Sequence, residues 1–255
     1  MADIPWLLHG FSTRGGGVST AYSGSRGSGE LNLGFTAEDD RGNVAGNREL
    51  FLKAVTRDLR FPLATVRQIH SSNVRILTAF GTAADSTLEP ADGIMTTQPG
   101  VLLGIQTADC IPVLVADRQR HAVAAFHAGW RGTLKRIVEN GVGRMRVEFG
   151  SDPGDLIAAI GPGIGMCCYA VGEEVIREFS AHFSYAAELF CDIGGKPHLD
   201  LAEANRRQLL EAGLSASAIV KLDECTACRT DRYFSYRAEG GCTGRMLSVI
   251  GIVRV

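Results

Sequence analysis

The chain has 255 residues, of which 45% are hydrophobic, and its 26 basic and 28 acidic side chains give a formal net charge of −2. This length and composition suffice for one well-buried core, so we expect residues 1–255 to form a single domain. Because charges of both signs are interspersed, no basic face is present to hold a nucleic-acid backbone or an anionic membrane surface.

Two further features bear on the compartment. The segment Met1–Gly10 lacks the basic leader and the long apolar run of a signal peptide, and no segment reaches the ~20 apolar residues of a membrane span. Seven cysteines, an odd number in a chain without a secretion signal, favour reduced thiols over a disulfide framework. We therefore expect a cytoplasmic protein.

The first half of the chain alternates between turns and short regular elements. The glycine triplet Gly15–Gly17 can turn backbone N–H groups toward an anion, but without a phosphate-loop pattern a plain turn is the favoured interpretation. Apolar residues at helical spacing predict a helix from Asn43 to Leu59, after the candidate caps Asp39 and Asp40. Short apolar or alternating runs predict four strands, at 65–69, 74–77, 94–97 and 101–106.

The centre of the chain has the pattern of a β-hairpin. Two apolar runs, Ile111–Ala116 and Ala122–Phe126, flank the polar segment Asp117–Gln119. Cys110 precedes the first run and His127 follows the second, so antiparallel pairing brings the thiol and the imidazole to the same end of the sheet. This pair suggests either a metal site or a nucleophile and its base.

The second half of the chain predicts alternating helices and strands. A helix from Thr133 to Phe149 is weakened by two internal glycines. The glycines after the next strand are spaced G-x-G-x-G, so they do not match a dinucleotide-binding fingerprint. The remaining predicted elements are strands at 156–160, 219–220, 233–237 and 245–253 and helices at 173–182 and 201–212.

Two pairs of cysteines follow the hairpin along the chain. Cys167 and Cys168 are adjacent and therefore poorly placed to bind one metal together, so they are interpreted as partly buried packing thiols. Cys225 and Cys228 form a C-x-x-C, which would indicate a zinc knuckle if a second such pair were present, and none is. Two structural thiols are the favoured interpretation, with redox chemistry as the alternative.

Three candidate ligands stand where a predicted strand gives way to a turn: His70, Cys110 and His127. Taken singly each is a packing residue, but two imidazoles and one thiolate form a set that suits zinc and leaves a fourth position for water or substrate. Asp109 is a candidate proton acceptor or partner of one histidine, and an ordinary turn carboxylate is an equally good interpretation.

Two arginines are candidate anion ligands. Arg14 and Arg131 border glycine-rich turns, where a guanidinium can clamp a phosphate or a carboxylate through two parallel hydrogen bonds. A surface salt bridge is the alternative. Arg131 lies only a few residues after His127, so a role as anion ligand at the predicted site is favoured for it. For Arg14, both interpretations stay open.

Eight motifs in order along the chain carry a resemblance to a known family. They are HGFSTR at His9, QIH ending at His70, TADC ending at Cys110, HAGWRG from His127, IGPGIGMCCY from Ile160, CTAC from Cys225, FSYR from Phe234 and TGRM from Thr243. Over nearly its whole length the chain resembles the YfiH, or laccase-domain, family. The resemblance implies a single layered α/β/β/α sandwich with mixed sheets, like the catalytic domain of cytotoxic necrotizing factor.

The resemblance also implies site residues. The family's metal ligands fall on His70, Cys110 and His127, and Arg131 belongs to the motif that carries the third of them. Three further residues match positions of the family's first motif that line the active-site cleft and are expected to bind substrate or phosphate: Ser12, Arg14 and Asn32.

The activity that the resemblance implies is zinc-dependent phosphorolysis of adenosine, inosine, guanosine and methylthioadenosine, with adenosine deamination at the same ion. Arg14 or Arg131 would hold phosphate, and Asp109 would manage a proton. One alternative is a metal-free Cys and His amide hydrolase of the peptidoglycan-editing type, and another is copper polyphenol oxidation, although a laccase needs several coppers and more than the six histidines present. The preferred nucleoside and the oligomeric state stay open.

Overall fold

Regular structure covers most of the residues that the computed structural model describes, which are 1, 4–23, 29–56, 61–78 and 90–253. The helices in this part of the chain are α1 Arg41–Thr56, α2 Trp130–Leu134, α3 Ile137–Phe149, α4 Glu173–His182 and α5 Leu201–Glu211. The strands are β1 Leu7–Phe11, β2 Gly15–Ser19, β3 Leu63–Thr65, β4 Val74–Leu77, β5 Gly93–Thr96, β6 Leu102–Thr107, β7 Ile111–Asp117, β8 Ala122–Ala128, β9 Leu156–Ile160, β10 Phe190–Ile193, β11 Lys196–Leu199, β12 Ile219–Lys221 and β13 Met246–Ile252.

Two mixed sheets form the centre of the fold. The larger has the strand order β12-β9-β7-β8-β5-β4, and the smaller has the order β1-β13-β6-β3. Parallel pairs occur at the edges, between β12 and β9, β4 and β5, and β3 and β6, whereas the inner pairs are antiparallel. Strands β10 and β11 form a separate antiparallel pair.

Alternation along the strands divides the core into layers. In β7, Val113 and Val115 point to one face and join the cluster that includes apolar residues of α3, α4 and α5. Their neighbours Leu114 and Ala116 point to the other face and pack against β6 and β13 of the smaller sheet. Period-two alternation therefore lets a strand that is buried on both sides contribute to two cores.

The outer face of the smaller sheet is covered by α1. Leu102, Leu247 and Val249 form a cluster there with Phe51 of α1. The layers thus follow the order helices, six-stranded sheet, four-stranded sheet, helix, which confirms the predicted α/β/β/α sandwich. Among the described residues, no helix combines the length and the apolar character needed to cross a membrane.

Several predicted boundaries were wrong. The helix expected at 133–149 is two helices, because Arg136 between them adopts a left-handed conformation (φ 58°). The helix expected at 43–59 begins earlier, at Arg41, and its expected end falls on residues 57–60, which lie outside the described part of the chain.

Two expected strands also differ. Residues 233–237 do not form a strand, because Ser235 and Arg237 direct their N–H groups to the carboxylates of Glu239 and Asp109. The strand expected at 65–69 is instead Leu63–Thr65, since the N–H of Ile69 bonds to a carboxylate rather than to a neighbouring strand.

Candidate metal centre

The hairpin of β7 and β8 positions the first two candidate ligands. Pro112 pairs with His127 and Ile111 with Ala128, so Cys110, immediately before β7, lies beside the end of β8 that carries His127. This confirms the predicted hairpin. At the other end, the Asp117 carboxylate accepts hydrogen bonds from the N–H groups of Gln119 and Arg120, which closes the turn.

His70 is held in a tight turn by a buried carboxylate. Asp92 is fully buried and accepts hydrogen bonds from the backbone N–H groups of Ile69, His70 and Ser71, at distances down to 2.6 Å. His70 itself has a left-handed backbone conformation (φ 59°), which is rare for residues other than glycine. The three hydrogen bonds account for the persistence of this strained turn, which presents the imidazole to the hairpin.

The three candidate ligands converge. One ligand atom from each of His70, Cys110 and His127 lies within 4.8 Å of the others. The Cys110 Sγ is 3.9 Å from the His70 Nε2, and the two imidazole rings are 4.9 Å apart and nearly perpendicular. His127 is buried, Cys110 is half-buried and His70 is exposed, so the cluster is open on one side. Gly129 leaves room for it, because a Cβ there would lie only 3.0 Å from the Cys110 Sγ and from a His70 ring carbon.

Asp92 also orients His127. Its Oδ1 lies 2.8 Å from the His127 Nδ1, which leaves the Nε2 of the same ring for the cluster. Burial alone would raise the pKa of Asp92, but hydrogen bonds from His127 and Ser71 outweigh it and lower the pKa to about 2. A carboxylate behind a ligating histidine fixes its tautomer and ring orientation. Asp92 was not predicted as a site residue, because its position directly before β5 is the only feature that distinguishes it in the local sequence.

The electrostatics of the cluster favour a metal-binding thiolate. Burial opposes ionisation of Cys110, yet the charge and hydrogen bond of His127, together with His70, lower the pKa of the thiol to about 6. Burial also opposes the charged form of His127, but Cys110 and Asp92 raise its pKa to about 9. Because the thiolate is the form of cysteine that coordinates metals, two imidazoles and this thiolate are a donor set that fits zinc.

The cluster lies in a cavity of about 980 Å³ with an unusual lining. Asp109 is the only acidic residue among the described lining residues. The aromatic lining residues are Phe35, Tyr169 and Tyr236, and the basic ones are Arg41, Arg48, Arg67, Arg237 and Arg245. None of these eight was predicted as a site residue, although Tyr169, Tyr236, Arg237 and Arg245 lie within the quoted motifs, because they are scattered over about 200 positions.

Asp109 lines the cavity but is engaged in structural hydrogen bonds. Its Oδ1 accepts from the hydroxyls of Thr226 (2.6 Å) and Ser235 (2.8 Å), and its Oδ2 accepts from the N–H of Arg237 (2.7 Å). The carboxylate therefore ties two distant loops to the hairpin. The histidine partner is Asp92.

Arg14 lies away from the cavity lining. It is 1% exposed, and its guanidinium forms ion pairs with Glu30 (2.9 Å) and Glu239 (3.1 Å) and hydrogen bonds with three backbone carbonyls. These partners occupy the donors that a phosphate would need. Arg131 is exposed and stacks on the Trp130 ring at 4.3 Å, also outside the described lining of the cavity.

Ser12 and Asn32 likewise hold the N-terminal segment to the rest of the fold. The Ser12 hydroxyl accepts the N–H of Leu247, and the Asn32 side chain accepts the N–H of Arg245 while donating to Asp39. Both are buried, and neither is among the described residues that line the cavity. Asn32 contacts the site indirectly, through Arg245, which lines the cavity.

Comparisons with known proteins give consistent matches over the whole fold. A family model described as multi-copper polyphenol oxidoreductase laccase matches residues 8–253. A purine nucleoside phosphorylase of Deinococcus radiodurans is 40% identical over 96% of this chain and 89% of its own length. A protein named adenosine deaminase RL5, from an unknown prokaryotic organism, is 35% identical over 95% of this chain and 93% of its own length.

Solved structures match equally well. The hypothetical protein YfiH of Bacillus licheniformis superposes with a TM-score of 0.88 at 32% identity, covering 100% of this chain and 98% of that one. YlmD of Geobacillus stearothermophilus gives a TM-score of 0.86 at 33% identity, covering 98% and 93%. The chain therefore belongs to the YfiH, or laccase-domain, family.

Proposed function

We propose that this protein is a zinc-dependent purine nucleoside phosphorylase that also deaminates adenosine. The observation that carries the proposal is a cluster of two imidazoles and a thiol in a cavity that offers both arginines and aromatic rings. The relatives named purine nucleoside phosphorylase and adenosine deaminase support an enzyme of this kind.

The charge of the cavity favours an anionic substrate. The whole chain has a net charge of −2, yet the described cavity lining holds five arginines and one carboxylate. Burial lowers the pKa of Arg48 to about 10, and within the described residues no ion pair includes this guanidinium. A partly desolvated cation without a carboxylate partner is a good ligand for phosphate.

The shape and rings of the cavity favour a nucleoside as the second substrate. A volume of about 980 Å³ lies at the upper end of the range of small-molecule sites. Tyr236 is 55% exposed at the cavity wall, and Arg245 lies 6.0 Å from its ring centroid, whereas the guanidinium groups of Arg41 and Arg48 already lie over the Phe35 ring at 4.6 and 4.4 Å. Tyr236 therefore offers the more accessible ring face. Stacking of a base on an aromatic side chain contributes roughly 1–3 kcal/mol and tolerates different purines.

Two groups of residues have separate roles in the proposed reaction. His70, Cys110 and His127 would hold zinc, which when bound supplies a Lewis acid for charge that develops on a substrate oxygen and an activator of water for deamination. The cavity arginines bind phosphate and direct one of its oxygens to C1′ of the ribose. A bond forms between that oxygen and C1′ as the bond from C1′ to the purine nitrogen breaks, and the purine leaves with the electron pair.

The reaction itself is tested by incubating the protein with inosine in the presence and absence of phosphate. We expect hypoxanthine and ribose 1-phosphate in equal amounts, and no base release when phosphate is omitted. Adenosine should yield inosine without phosphate, because water is then the nucleophile. Base release at the same rate without phosphate would identify a hydrolase and contradict the phosphorylase.

Replacement of Arg48 tests the proposed phosphate site. We expect Arg48→Gln to raise the KM for phosphate roughly 10- to 100-fold, since charge-assisted hydrogen bonds contribute about 1.5–3 kcal/mol. The KM for inosine should change little. Arg177→Gln is the matched control, because Arg177 is 72% exposed on α4, outside the described cavity lining. An equal rise in both KM values would argue against a specific phosphate contact.

A second candidate function rests on Cys110 as a nucleophile. The lowered pKa of Cys110 and the raised pKa of His127 describe a thiolate and imidazolium pair, as a cysteine amide hydrolase requires. Metal content and alkylation separate the two candidates. Purified protein with bound zinc, in which Cys110 reacts slowly with iodoacetamide until a chelator is added, supports the metal site; metal-free protein with rapid alkylation supports the hydrolase.

Copper polyphenol oxidation is a third candidate, favoured by the description of the matching family model. Laccase chemistry passes electrons through several coppers and uses many histidine ligands. This chain has six histidines, and two of them belong to the cluster. The donor set therefore supports zinc better than a multi-copper centre.

A further inference from the structure

A second cluster of metal-binding side chains lies apart from the first. It consists of Cys167, Cys168, Cys225 and Cys228, whose Sγ atoms all lie within 4.8 Å of one another. We name it the four-cysteine cluster. From the sequence, Cys167 and Cys168 are interpreted as partly buried packing thiols that cannot easily share a metal, and Cys225 and Cys228 as two structural thiols. The structure instead brings all four together, and Cys167 and Cys228 are exposed.

The sulfur separations match ligation of one ion. The Cys228 Sγ is 3.5 Å from the Cys167 Sγ and 3.4 Å from the Cys168 Sγ. Four thiolates placed tetrahedrally at about 2.3 Å from a zinc ion are about 3.8 Å from one another. A disulfide requires about 2.05 Å. All seven cysteines are free thiols in the structure.

The backbone around the cluster is organised to bring the two segments together. Gly163 and Cys225 form a parallel bridge, and the N–H of Thr226 donates to the Gly163 carbonyl at 2.9 Å. The N–H of Gly165 donates to the Cys225 Sγ at 3.2 Å, a contact that stabilises negative charge on sulfur. A Cβ at Gly165 would lie 3.0 Å from the Cys225 Cβ and 3.3 Å from the Cys167 Sγ, so glycine permits the close approach.

We propose that the four-cysteine cluster binds a structural zinc ion through its four thiolates. A site with four protein ligands has no open position, so this ion takes no part in the reaction. The proposal is independent of the proposed function, since it concerns a different set of residues.

The position of the cluster gives the ion a role at the wall of the cavity. Thr226, next to Cys225, donates to the Asp109 carboxylate, and Arg237 donates to the carbonyls of Cys168 and Ala170. Arg237 and Tyr169 both line the cavity. Because metal binding contributes to folding free energy, zinc here joins the loop after β9 to the segment before residue 237 and holds this wall in place.

Metal analysis of the full chain tests the proposal. We expect about two zinc ions per chain in the unsubstituted protein, and about one in the double variant Cys225→Ser/Cys228→Ser and in the double variant Cys110→Ala/His127→Ala. Cys242→Ser is the control, because Cys242 is an exposed free thiol outside both clusters, and this variant should keep two.

X-ray absorption on Cys110→Ala/His127→Ala gives the second readout, which does not require the serine variant to fold. We expect the remaining zinc to have four sulfur neighbours at about 2.3 Å and no nitrogen neighbour. Iron in place of zinc, no metal in this variant, nitrogen ligands in its spectrum, or a disulfide among these four cysteines in the unreduced protein would each overturn the proposal.

Discussion

Replacing Cys110 by Ala is expected to lower phosphorolysis of inosine by roughly 10³-fold, a factor typical of removing a group that stabilises charge in the transition state. Cys110 supplies the only anionic ligand of the three, so its loss leaves two imidazoles for a divalent cation. We therefore expect one zinc ion fewer per chain as well. Both quantities are measured on the same preparation, by release of hypoxanthine and by metal analysis.

A thiol that belongs to neither cluster provides the control for this substitution. Cys242→Ala removes an exposed free cysteine, and it should retain the activity and the metal content of the unsubstituted protein. Equal rates in the Cys110→Ala variant and the unsubstituted protein would end the proposal of a catalytic metal at His70, Cys110 and His127. Loss of activity with unchanged zinc content would favour Cys110 as a nucleophile.

Replacing Asp92 by Ala is expected to destabilise the protein by about 3–5 kcal/mol, the usual cost of breaking a buried charged pair. Asp92 is fully buried, and its carboxylate pairs with His127 and accepts three backbone N–H groups around His70. Alanine leaves these donors without a partner. We also expect roughly 10- to 100-fold weaker zinc binding, because the carboxylate orients a ligating imidazole.

The pH dependence of stability provides an independent check on Asp92. Its pKa in the folded protein is about 2, below the ordinary aspartate value of 3.8, so ionised Asp92 stabilises the native state. This stabilisation, about 2 kcal/mol, is complete above pH ~4 and is lost as the pH falls toward 2. The stability difference between the unsubstituted protein and Asp92→Ala should therefore narrow over this interval.

Urea denaturation of chelator-treated protein measures both effects, at neutral pH and between pH 4 and 2. Asp223→Ala is the control, because the Asp223 side chain is 79% exposed and pairs with Lys221 at the surface. Such pairs contribute about 0–1 kcal/mol. An Asp92→Ala variant as stable as the control would show that the carboxylate does not hold the His70 turn.

Local sequence patterns are enough to predict the hairpin and to single out His70, Cys110 and His127 as candidate metal ligands. The continuous apolar run in β7 is typical of a strand buried on both faces, and the polar segment between two apolar runs indicates the hairpin. Antiparallel pairing then places Cys110 beside His127 without further information. These features are local, so a short window of sequence contains the cause of each.

The surroundings of these candidate ligands depend on packing between segments that are distant along the chain. Asp92 lies 35 residues from His127, the cavity arginines come from both ends of the chain, and Cys168 is 60 residues from Cys228. Arg14 borders a glycine-rich turn, as a phosphate ligand often does. Its guanidinium is nevertheless buried in the fold, where it forms ion pairs with Glu30 and Glu239. Periodicity specifies which face of an element is apolar, but the partners of a polar side chain depend on which distant loops the packed sheets bring together.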